Sequence, residues 1–344
     1  MKPTEAIHTV EQLEDMLSEP PPSVVETMRD LRGDILILGV AGKMGPSLAR
    51  MARRASDAAG TTRRIIGASR FSSPDAAAFL EPHGVETIQC DLLDDDALAR
   101  LPDAPNVLFM AGMKFGSTGN ESATWAMNSY LPGAVARRFR GSRIVAFSTG
   151  NVYGLVPVEG GGSREGDALN PVGEYAMSCL GRERVFEYFS RSFGIPMSVI
   201  RLNYACEMRY GVLVDLALKV WRGEPVPLGM SRFNVIWQGD ANAMTLNAFA
   251  HTGTPPFVIN VAGPETLSVR TVCERFGAAM KRTPRFTGEA GKSALLSNAT
   301  RAFDLFGTPR VGAEQLLAWI ADWIMQGRPL LGKPTHFASR DGKF

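Results

Sequence analysis

Short apolar segments alternate with helical segments over most of the chain. Seven runs rich in β-branched and other apolar residues fit buried strands, at 34–40, 63–69, 85–91, 106–112, 143–149, 195–202 and 256–263. The segments between most of these runs have the periodicity of helices. Alternating helices and continuously apolar strands are typical of a parallel sheet that is covered on both faces. The pattern therefore predicts an α/β fold with a doubly wound parallel sheet of about seven strands.

The pattern changes outside this alternating region. Residues 9–31 contain two short amphipathic stripes separated by Pro20–Pro22, which predicts an N-terminal helical extension at 1–33 that clasps the main domain or a partner subunit. After residue 204 the strands become sparse, which predicts a smaller, mostly helical C-terminal lobe from 205–232 and 263–330. The mildly basic end, 331–344, is expected to be a frayed tail.

Composition and charge argue against several classes of protein. The 344 residues carry a net charge of +2 with no block of like charges, so no nucleic-acid footprint is expected. No apolar stretch approaches the ~20 residues that cross a bilayer, so no membrane contact is expected. The acidic N-terminal residues do not resemble a secretory signal, and the four cysteines have no paired spacing. We therefore expect reduced thiols, a cytoplasmic location and no metal site.

A glycine-rich loop joins the first strand to the first long helix. In LILGVAGKMG, Gly39, Gly42 and Gly45 have the spacing G-x-x-G-x-x-G, with Lys43 and Met44 between the last two. Such glycines allow a tight turn, a close approach to a pyrophosphate, and close packing of a helix whose N-terminal N–H groups face the anion. Because strand, loop and helix occur in the required order, 34–204 plus 233–262 are predicted to form an NAD(P)-binding Rossmann domain.

The ends of the second and third strands bear on the choice of dinucleotide. An acidic residue after the second strand would bind ribose hydroxyls and favour NAD, but the chain has Ser69 and Arg70 there. A cation and hydroxyls suit a 2′-phosphate, so NADP is favoured over NAD, although a solvated arginine would give the same pattern. Asp91 and Leu92 are candidate adenine contacts, and Asp94, Asp95 and Asp96 are expected to cap the next helix rather than to bind a metal.

Two further motifs carry candidate chemistry. They are FSTGNVYG at 147–154 and NPVGEYAMSCLGRE at 170–183. Together with the glycine loop they resemble extended short-chain dehydrogenase/reductases, the NAD(P)-dependent sugar epimerase/dehydratase group, from about Asp34 to about Trp323. The resemblance implies that the smaller lobe binds substrate, that Tyr175 is the catalytic acid/base, and that Thr149 holds the reacting oxygen.

The resemblance also implies cofactor contacts after the fourth strand and on the following helix. In FMAGMKFG these are Ala111, Gly112 and Lys114, and in MNSYLP the contact is Asn128. Tyr175 and Cys179 are expected to face the nicotinamide end of the cofactor. In FNVIWQGDANA, at 233–243, Asp240 lies at the position where the family has an aspartate.

Cys179 is where the chain departs from the family. A lysine four residues after the tyrosine normally lies on the same helix face, lowers the tyrosine pKa and holds the nicotinamide ribose. A neutral thiol supplies no charge and is a weak donor. This puts ordinary proton chemistry in question, because an unperturbed tyrosine has a pKa of ~10.

Three hypotheses compete. Another cation stands in, with Lys114 the best candidate and Arg182 expected to lie too far from the ring. Alternatively, the enzyme relies on the positive ring of the oxidised cofactor alone. In the third hypothesis the protein has lost its chemistry and keeps the cofactor as a structural or sensing ligand.

The substrate class stays broad. Dehydratases of the family have acidic residues directly after the catalytic threonine, whereas Gly150 and Asn151 follow Thr149 here, which favours epimerisation or dehydrogenation. The expected substrate is a sugar, sugar acid or nucleotide sugar. Candidate substrate contacts are Lys114, Thr149, Asn203, Glu207, Arg209 and Asn234, with Glu207 and Arg209 open to the alternative of a surface ion pair. The family also implies a homodimer through helices at 123–139 and 174–192.

Overall fold

Seven parallel strands form the central sheet of this computed structural model, which describes residues 6–73, 75–114, 116–333 and 335–343. In chain order they are β1 (Ile35–Leu38), β2 (Ile65–Ser69), β3 (Glu86–Gln89), β4 (Asn106–Phe109), β5 (Arg143–Thr149), β6 (Met197–Leu202) and β7 (Phe257–Val261). Their order across the sheet is β3-β2-β1-β4-β5-β6-β7. This is the doubly wound arrangement of a Rossmann fold, so the predicted fold class is confirmed.

Helices cover both faces of the sheet and build most of the smaller lobe. Those described are α1 (Val10–Leu17), α2 (Pro22–Asp30), α3 (Gly45–Ala58), α4 (Asp75–Leu80), α5 (Asp95–Ala99), α6 (Glu121–Trp125), α7 (Leu131–Arg138), α8 (Gly173–Phe193), α9 (Val212–Arg222), α10 (Gln238–Asn247), α11 (Val269–Met280), α12 (Thr300–Phe306) and α13 (Ala313–Met325). Short 3-10 turns occupy Glu81–His83, Gly150–Tyr153 and Ala248–His251, and a π-helical turn occupies Ala126–Tyr130.

Four short strand pairs tie the loops and the lobe together. They join Val156–Pro157 to Ser293–Ala294, Ala205–Cys206 to Ile236–Trp237, Pro225–Pro227 to Arg285–Thr287, and Arg232–Phe233 to Leu267–Ser268. None of them extends the central sheet. Across the described ranges, no helix is long and apolar enough to cross a membrane.

The register of the sheet brings the predicted site loops to one edge. Leu38 at the end of β1 lies beside Ala68 of β2 and Phe109 of β4. The chain from β1 then turns toward α3, while the chain from β4 turns toward the opposite face. A crevice opens between two neighbouring strands whose connections diverge in this way, and ligands of such sheets bind there.

The N-terminal extension is helical, as its two apolar stripes predict, but its helices join two different cores. Leu13 and Leu17 of α1 are buried with the lobe helices α9, α11 and α13. Val24 and Met28 of α2 are buried against the sheet and α3. Short amphipathic helices are marginal alone and gain stability by covering a neighbour's apolar surface. The extension therefore bridges the lobe and the sheet domain.

The C-terminal segment differs from the expected frayed tail. Thr335 donates from its backbone N–H to the Asp215 carboxylate at 2.8 Å, and Phe337 is buried in the lobe core. Arg340 donates to the carbonyls of Gly229 and Ser293 at 2.9 and 2.8 Å. These anchors were missed because single polar residues in a Gly- and Pro-containing segment leave no periodic signal.

Candidate active site

The glycine loop has the geometry that its spacing predicts. Gly39 has φ of +86°, and a Cβ there would lie 2.7 Å from the Ala111 backbone nitrogen. At Gly45 a Cβ would lie 2.0 Å from the Val40 carbonyl oxygen, so only glycine lets α3 start this close to β1. The N-terminus of α3 therefore faces the crevice, which fits the pyrophosphate of a dinucleotide.

The crevice has two halves that meet at this loop. Gly39, Gly42 and Gly112 line both halves. One half is also lined by the predicted adenosine-side residues Ser69, Arg70, Asp91, Leu92 and Ala111. The other half is lined by the predicted cofactor contacts Lys43 and Met44 of the glycine loop. It is also lined by the residues predicted for the nicotinamide and substrate side, namely Lys114, Thr149, Tyr175 and Asn203. The structure thus collects residues from five loops, the end of β5 and the first turn of α8 into one elongated site.

Near the adenosine half of the crevice, the carboxylates of Asp91 and Asp94 each accept a hydrogen bond from a nearby backbone N–H. The Asp91 carboxylate accepts a hydrogen bond from the Leu93 backbone N–H at 3.1 Å and stays exposed to the crevice. Asp94 caps α5, because its carboxylate accepts from the Ala97 N–H at 2.9 Å. The helix-cap prediction for Asp94 is therefore confirmed. No group of three potential metal ligands occurs among the described residues.

Thr149 and Tyr175 come from different elements and meet at the crevice. Thr149 ends β5, where its hydroxyl accepts from the Asn151 side chain at 2.9 Å and caps a 3-10 turn. Tyr175 lies in the first turn of α8 and lines the same crevice. Burial raises the pKa of Tyr175 above its usual value and Cys179 adds to this, whereas the Arg182 charge and the Thr149 hydroxyl oppose the rise. The phenol is therefore neutral unless further positive charge is supplied.

Cys179 occupies the expected position one helical turn after Tyr175. Its side chain is fully buried, at 0% exposure, and packs with Val152 and Tyr153. Burial raises the pKa of the Cys179 thiol, which keeps it protonated at neutral pH. The thiol therefore brings no charge to the site.

Lys114 stands over the tyrosine ring. Its ammonium nitrogen lies 5.7 Å from the Tyr175 ring centroid. Asn128 on the π-helical turn orients the loop, since its side chain bonds both the N–H and the carbonyl of Met113 at 2.9 Å. Burial lowers the pKa of Lys114 to about 8, so the ammonium is charged at neutral pH but titrates just above it.

Arg182 corrects an expectation drawn from helix spacing alone. Arg182 lines the same half of the crevice as Tyr175, although the residue is seven positions further along α8. Long side chains on a helix lean toward its N-terminus, which brings the Arg182 guanidinium back by about a turn. Residue spacing along α8 does not include this lean, so the helix periodicity alone places Arg182 too far along the helix.

Lys43 lies in the glycine loop but extends across the crevice toward the lobe. Its ammonium lies 3.5 Å from the Ala205 carbonyl oxygen and 4.1 Å from the Tyr210 ring centroid. Burial lowers the pKa of Lys43 to about 8, while the nearby Glu207 carboxylate opposes that shift. Lys43 therefore joins the cofactor loop to the start of the lobe.

Two of the substrate contacts expected after β6, Asn203 and Asn234, are hydrogen-bonded to each other. Asn203 lines the crevice and donates to the Asn234 side-chain oxygen at 2.8 Å. Asn234 in turn donates to the Ser297 carbonyl at 2.6 Å, so it fixes the neighbouring loop from a buried position.

Glu207 and Arg209 form the ion pair weighed as their alternative, but it is buried rather than at the surface. The Arg209 guanidinium contacts Glu207 at 3.2 Å and Glu14 of α1 at 2.6 Å. Neither side chain lines either half of the crevice as the structure describes it. The pair thus ties the N-terminal extension to the lobe.

Several neighbours of the site have structural partners. Tyr153 donates to Asn260 at 2.8 Å and accepts from Arg201 at 2.8 Å. The Asp240 carboxylate accepts from Arg310 at 2.9 Å, which places this aspartate away from the crevice. From the C-terminal segment, Thr335 enters the crevice lining, a contribution that no motif indicated.

Comparison with known proteins agrees with this architecture. The chain belongs to the NAD dependent epimerase/dehydratase family, whose model matches residues 35–206. Comparison with curated protein sequences finds no match. The resemblance to extended short-chain dehydrogenase/reductases drawn from the motifs is therefore confirmed.

Solved structures share the fold at low sequence identity. A dTDP-glucose 4,6-dehydratase from Bacillus anthracis, solved with NAD, is 15% identical, with a TM-score of 0.72 over 86% of this chain and 97% of that chain. A UDP-glucuronic acid 4-epimerase from Bacillus cereus, also with NAD, is 19% identical, with a TM-score of 0.70 over 85% and 99%. MoeE5, in complex with UDP-glucuronic acid and NAD, is 20% identical, with a TM-score of 0.69 over 86% and 100%.

Proposed function

We propose that this chain is an NAD(P)-dependent epimerase or dehydrogenase that acts on a hydroxyl of a sugar, sugar acid or nucleotide sugar. Tyr175 is the acid/base, Thr149 holds the reacting oxygen, and Cys179 replaces the usual lysine. The observation that carries the proposal is the meeting of Tyr175, Thr149 and Lys114 in a crevice continuous with the glycine loop.

The residues around the crevice fit a dinucleotide. Gly39 and Gly45 let the loop turn tightly against the backbone of Ala111 and Val40, and α3 begins directly after it. When bound, a nicotinamide cofactor supplies the hydride acceptor or donor. The part left to the chain is to orient the substrate hydroxyl and to move its proton.

Proton transfer falls to Tyr175. The phenol oxygen lies near the Thr149 hydroxyl, so a substrate oxygen between them would donate to one group and accept from the other. Burial alone keeps the phenol neutral, and positive charge from Lys114 across its ring favours the phenolate. Lys114 is thereby the stand-in cation of the proposal, and its place in the crevice wall also suits a substrate contact.

The carbohydrate class rests on family membership and on the site's polar lining. The solved relatives bind nucleotide sugars or are named for them, at identities that concern the fold alone. Asn203 and Lys114 supply hydrogen-bonding groups on the substrate side. Because Gly150 and Asn151 follow Thr149, no carboxylate is offered there for water elimination, which favours epimerisation or dehydrogenation over dehydration.

NADP is proposed as the preferred dinucleotide. Ser69 and the exposed Arg70 line the adenosine half where NAD-specific chains would carry an acid. Arg70→Ala should weaken NADP binding by roughly tenfold or more, because a charged hydrogen bond to the 2′-phosphate is lost, and should leave NAD binding unchanged. Calorimetric titration with both dinucleotides measures this. An equal effect on both would contradict the proposed preference.

A homodimer is proposed from the exposed apolar residues of one helical layer. Trp125, Tyr130, Met177 and Tyr188 lie on or beside α6 and α8, which pack against each other. Large exposed apolar surfaces of this kind mark association sites. Tyr188→Glu should convert a species of twice the chain mass to the monomer in sedimentation velocity. Leu305→Glu, at an exposed apolar residue on α12, is the matched control and should not.

A cytoplasmic location remains part of the proposal. All four cysteines are free and buried, which suits the reducing compartment expected from the sequence.

Product analysis tests the proposal. The protein is incubated with oxidised dinucleotide and each class of sugar, sugar acid and nucleotide sugar, and products are separated by chromatography. Conversion of at least one class is expected. Tight dinucleotide binding with no conversion of any class would instead favour the structural or sensing role left open by Cys179.

A further inference from the structure

The Arg182 guanidinium is a buried charge at the inner wall of the crevice. It is 6% exposed, and its Nη1 and Nη2 donate to the Phe147 carbonyl and the Asn128 side-chain oxygen, each at 2.7 Å. Nε contacts the Asn128 carbonyl at 3.4 Å. All three acceptors are uncharged. Within the described residues, no carboxylate lies at ion-pair distance from it, because the adjacent Glu183 pairs with Arg201 instead.

A buried cation that has only neutral partners is costly unless an anionic or polar ligand completes it. A guanidinium has five N–H donors, and these contacts engage three of them. The group also lines the catalytic half of the crevice. Donors therefore remain for a ligand on that side.

The fold makes room for this group beside Gly112. A Cβ on Gly112 would lie 2.6 Å from Arg182 Nη2, so only glycine permits the contact. Gly112 lines both halves of the crevice, at the point where they meet. The guanidinium is thus held against the junction of the two halves.

Hydrogen bonds fix the guanidinium at the level of Cys179. Asn128 Nδ2 also donates to the hydroxyl of Ser178, the neighbour of Cys179, at 3.0 Å. Arg182 and the turn that carries Cys179 are therefore bound to the same amide. The Arg182 guanidinium therefore lies near the turn that carries Cys179, although Arg182 itself is three positions further along α8.

We propose that Arg182 supplies, from the next turn of α8, the charge and the ribose-binding donors that a lysine at position 179 would supply. This inference rests on the proposed function, since it takes the crevice to hold a nicotinamide nucleoside beside Tyr175. In this role Arg182 donates hydrogen bonds to the ribose of the cofactor, and its charge favours the Tyr175 phenolate. Lys114, 5.7 Å from the centroid of the Tyr175 ring, adds a second positive charge.

The charged and titratable groups around Tyr175 come from several elements. Cys179 and Arg182, on its own helix, influence Tyr175 directly. Lys114, on the loop after β4, lies over the Tyr175 ring, and Asp215 of α9 influences Lys114. Cys179 is neutral, and Asp215 is engaged by Thr335. The Arg182 guanidinium is the cation on the same helix as Tyr175, and its hydrogen bonds to Phe147 and Asn128 hold it in place.

The test compares how tightly the protein binds the oxidised and the reduced dinucleotide. A nearby cation disfavours the positive nicotinamide ring of the oxidised form. Arg182→Gln keeps hydrogen-bonding capacity and removes the charge, so the ratio of Kd for the oxidised form to Kd for the reduced form should fall by roughly tenfold. Loss of a merely structural contact would weaken both forms alike and leave the ratio unchanged. Arg182→Lys retains the charge and should keep the wild-type ratio.

Each outcome decides the inference. A fall of the ratio in Arg182→Gln but not in Arg182→Lys supports it, and an unchanged ratio in a folded Arg182→Gln overturns it. If Arg182→Gln does not fold, Arg182→Lys decides alone, and a tenfold lower ratio in that variant would overturn it. A wild-type protein that binds neither form also overturns it. Because no turnover is needed, absence of sugar conversion refutes the proposed function without touching this result.

Discussion

Tyr175→Phe should lower kcat/KM by roughly 10²- to 10⁴-fold, the range typical for loss of a general acid or base. The variant removes one oxygen atom and keeps the ring that packs beneath Lys114. Cofactor affinity and folding are therefore expected to stay close to wild type. Steady-state kinetics on the substrate class that is converted, together with calorimetric binding of the dinucleotide, measure both quantities.

Tyr153→Phe is the matched control for that variant. Its hydroxyl is buried and bonded to Asn260 and Arg201, outside the crevice lining. We expect Tyr153→Phe to lower the free energy of unfolding by about 1–3 kcal/mol, because Asn260 and Arg201 lose a buried partner, with turnover per folded molecule retained. If Tyr153→Phe lost turnover while Tyr175→Phe kept it, the assignment of Tyr175 would be wrong.

Lys114 should give the pH profile a falling alkaline limb. Its pKa is about 8, so the ammonium is charged below that pH and neutral above it. If that charge supports the phenolate, kcat/KM falls as pH rises through about 8. Lys114→Met should lose roughly 10- to 100-fold at neutral pH, because the charge is absent throughout.

Lys114→Arg is the matched variant, because it keeps a cation that does not titrate in this range. It should retain more activity than Lys114→Met at neutral pH and lose the falling limb near pH 8. A limb of unchanged midpoint in Lys114→Arg would assign the titration to another group. Full activity in Lys114→Met would remove Lys114 from the proposed chemistry.

The sheet was predictable because its signals are local and periodic. Six of the seven strands are short, mainly apolar runs, and the structure places strands at all seven expected positions. The edge strand β3, Glu86–Gln89, differs from the expected buried strand, because its side chains are exposed or half-buried. The glycine loop was predictable for the same reason. Gly39 has a positive φ in a tight turn, and Gly45 allows the close approach of α3 to the Val40 backbone, so glycine is required at both positions. Such constraints act within a few residues of the chain.

The contacts that depend on distant segments were not predictable in this way. The reach of Arg182 depends on Asn128 and the Phe147 carbonyl, which lie on other elements. The Glu207–Arg209 pair is buried because α1 covers it with Glu14, and no spacing in the sequence indicates that pairing. The ordered end of the chain likewise depends on Asp215, more than a hundred residues earlier.

The central claim is that the crevice of Tyr175 and Thr149 carries out nicotinamide redox chemistry on a carbohydrate hydroxyl. The most direct measurement follows reduced-nicotinamide absorbance in single turnovers, with excess protein carrying oxidised dinucleotide and one carbohydrate class at a time. The account predicts a transient or lasting rise for at least one class with the wild-type protein, and its loss in Tyr175→Phe. A rise of equal size and rate in Tyr175→Phe, or no rise with any class despite saturating cofactor, would contradict it.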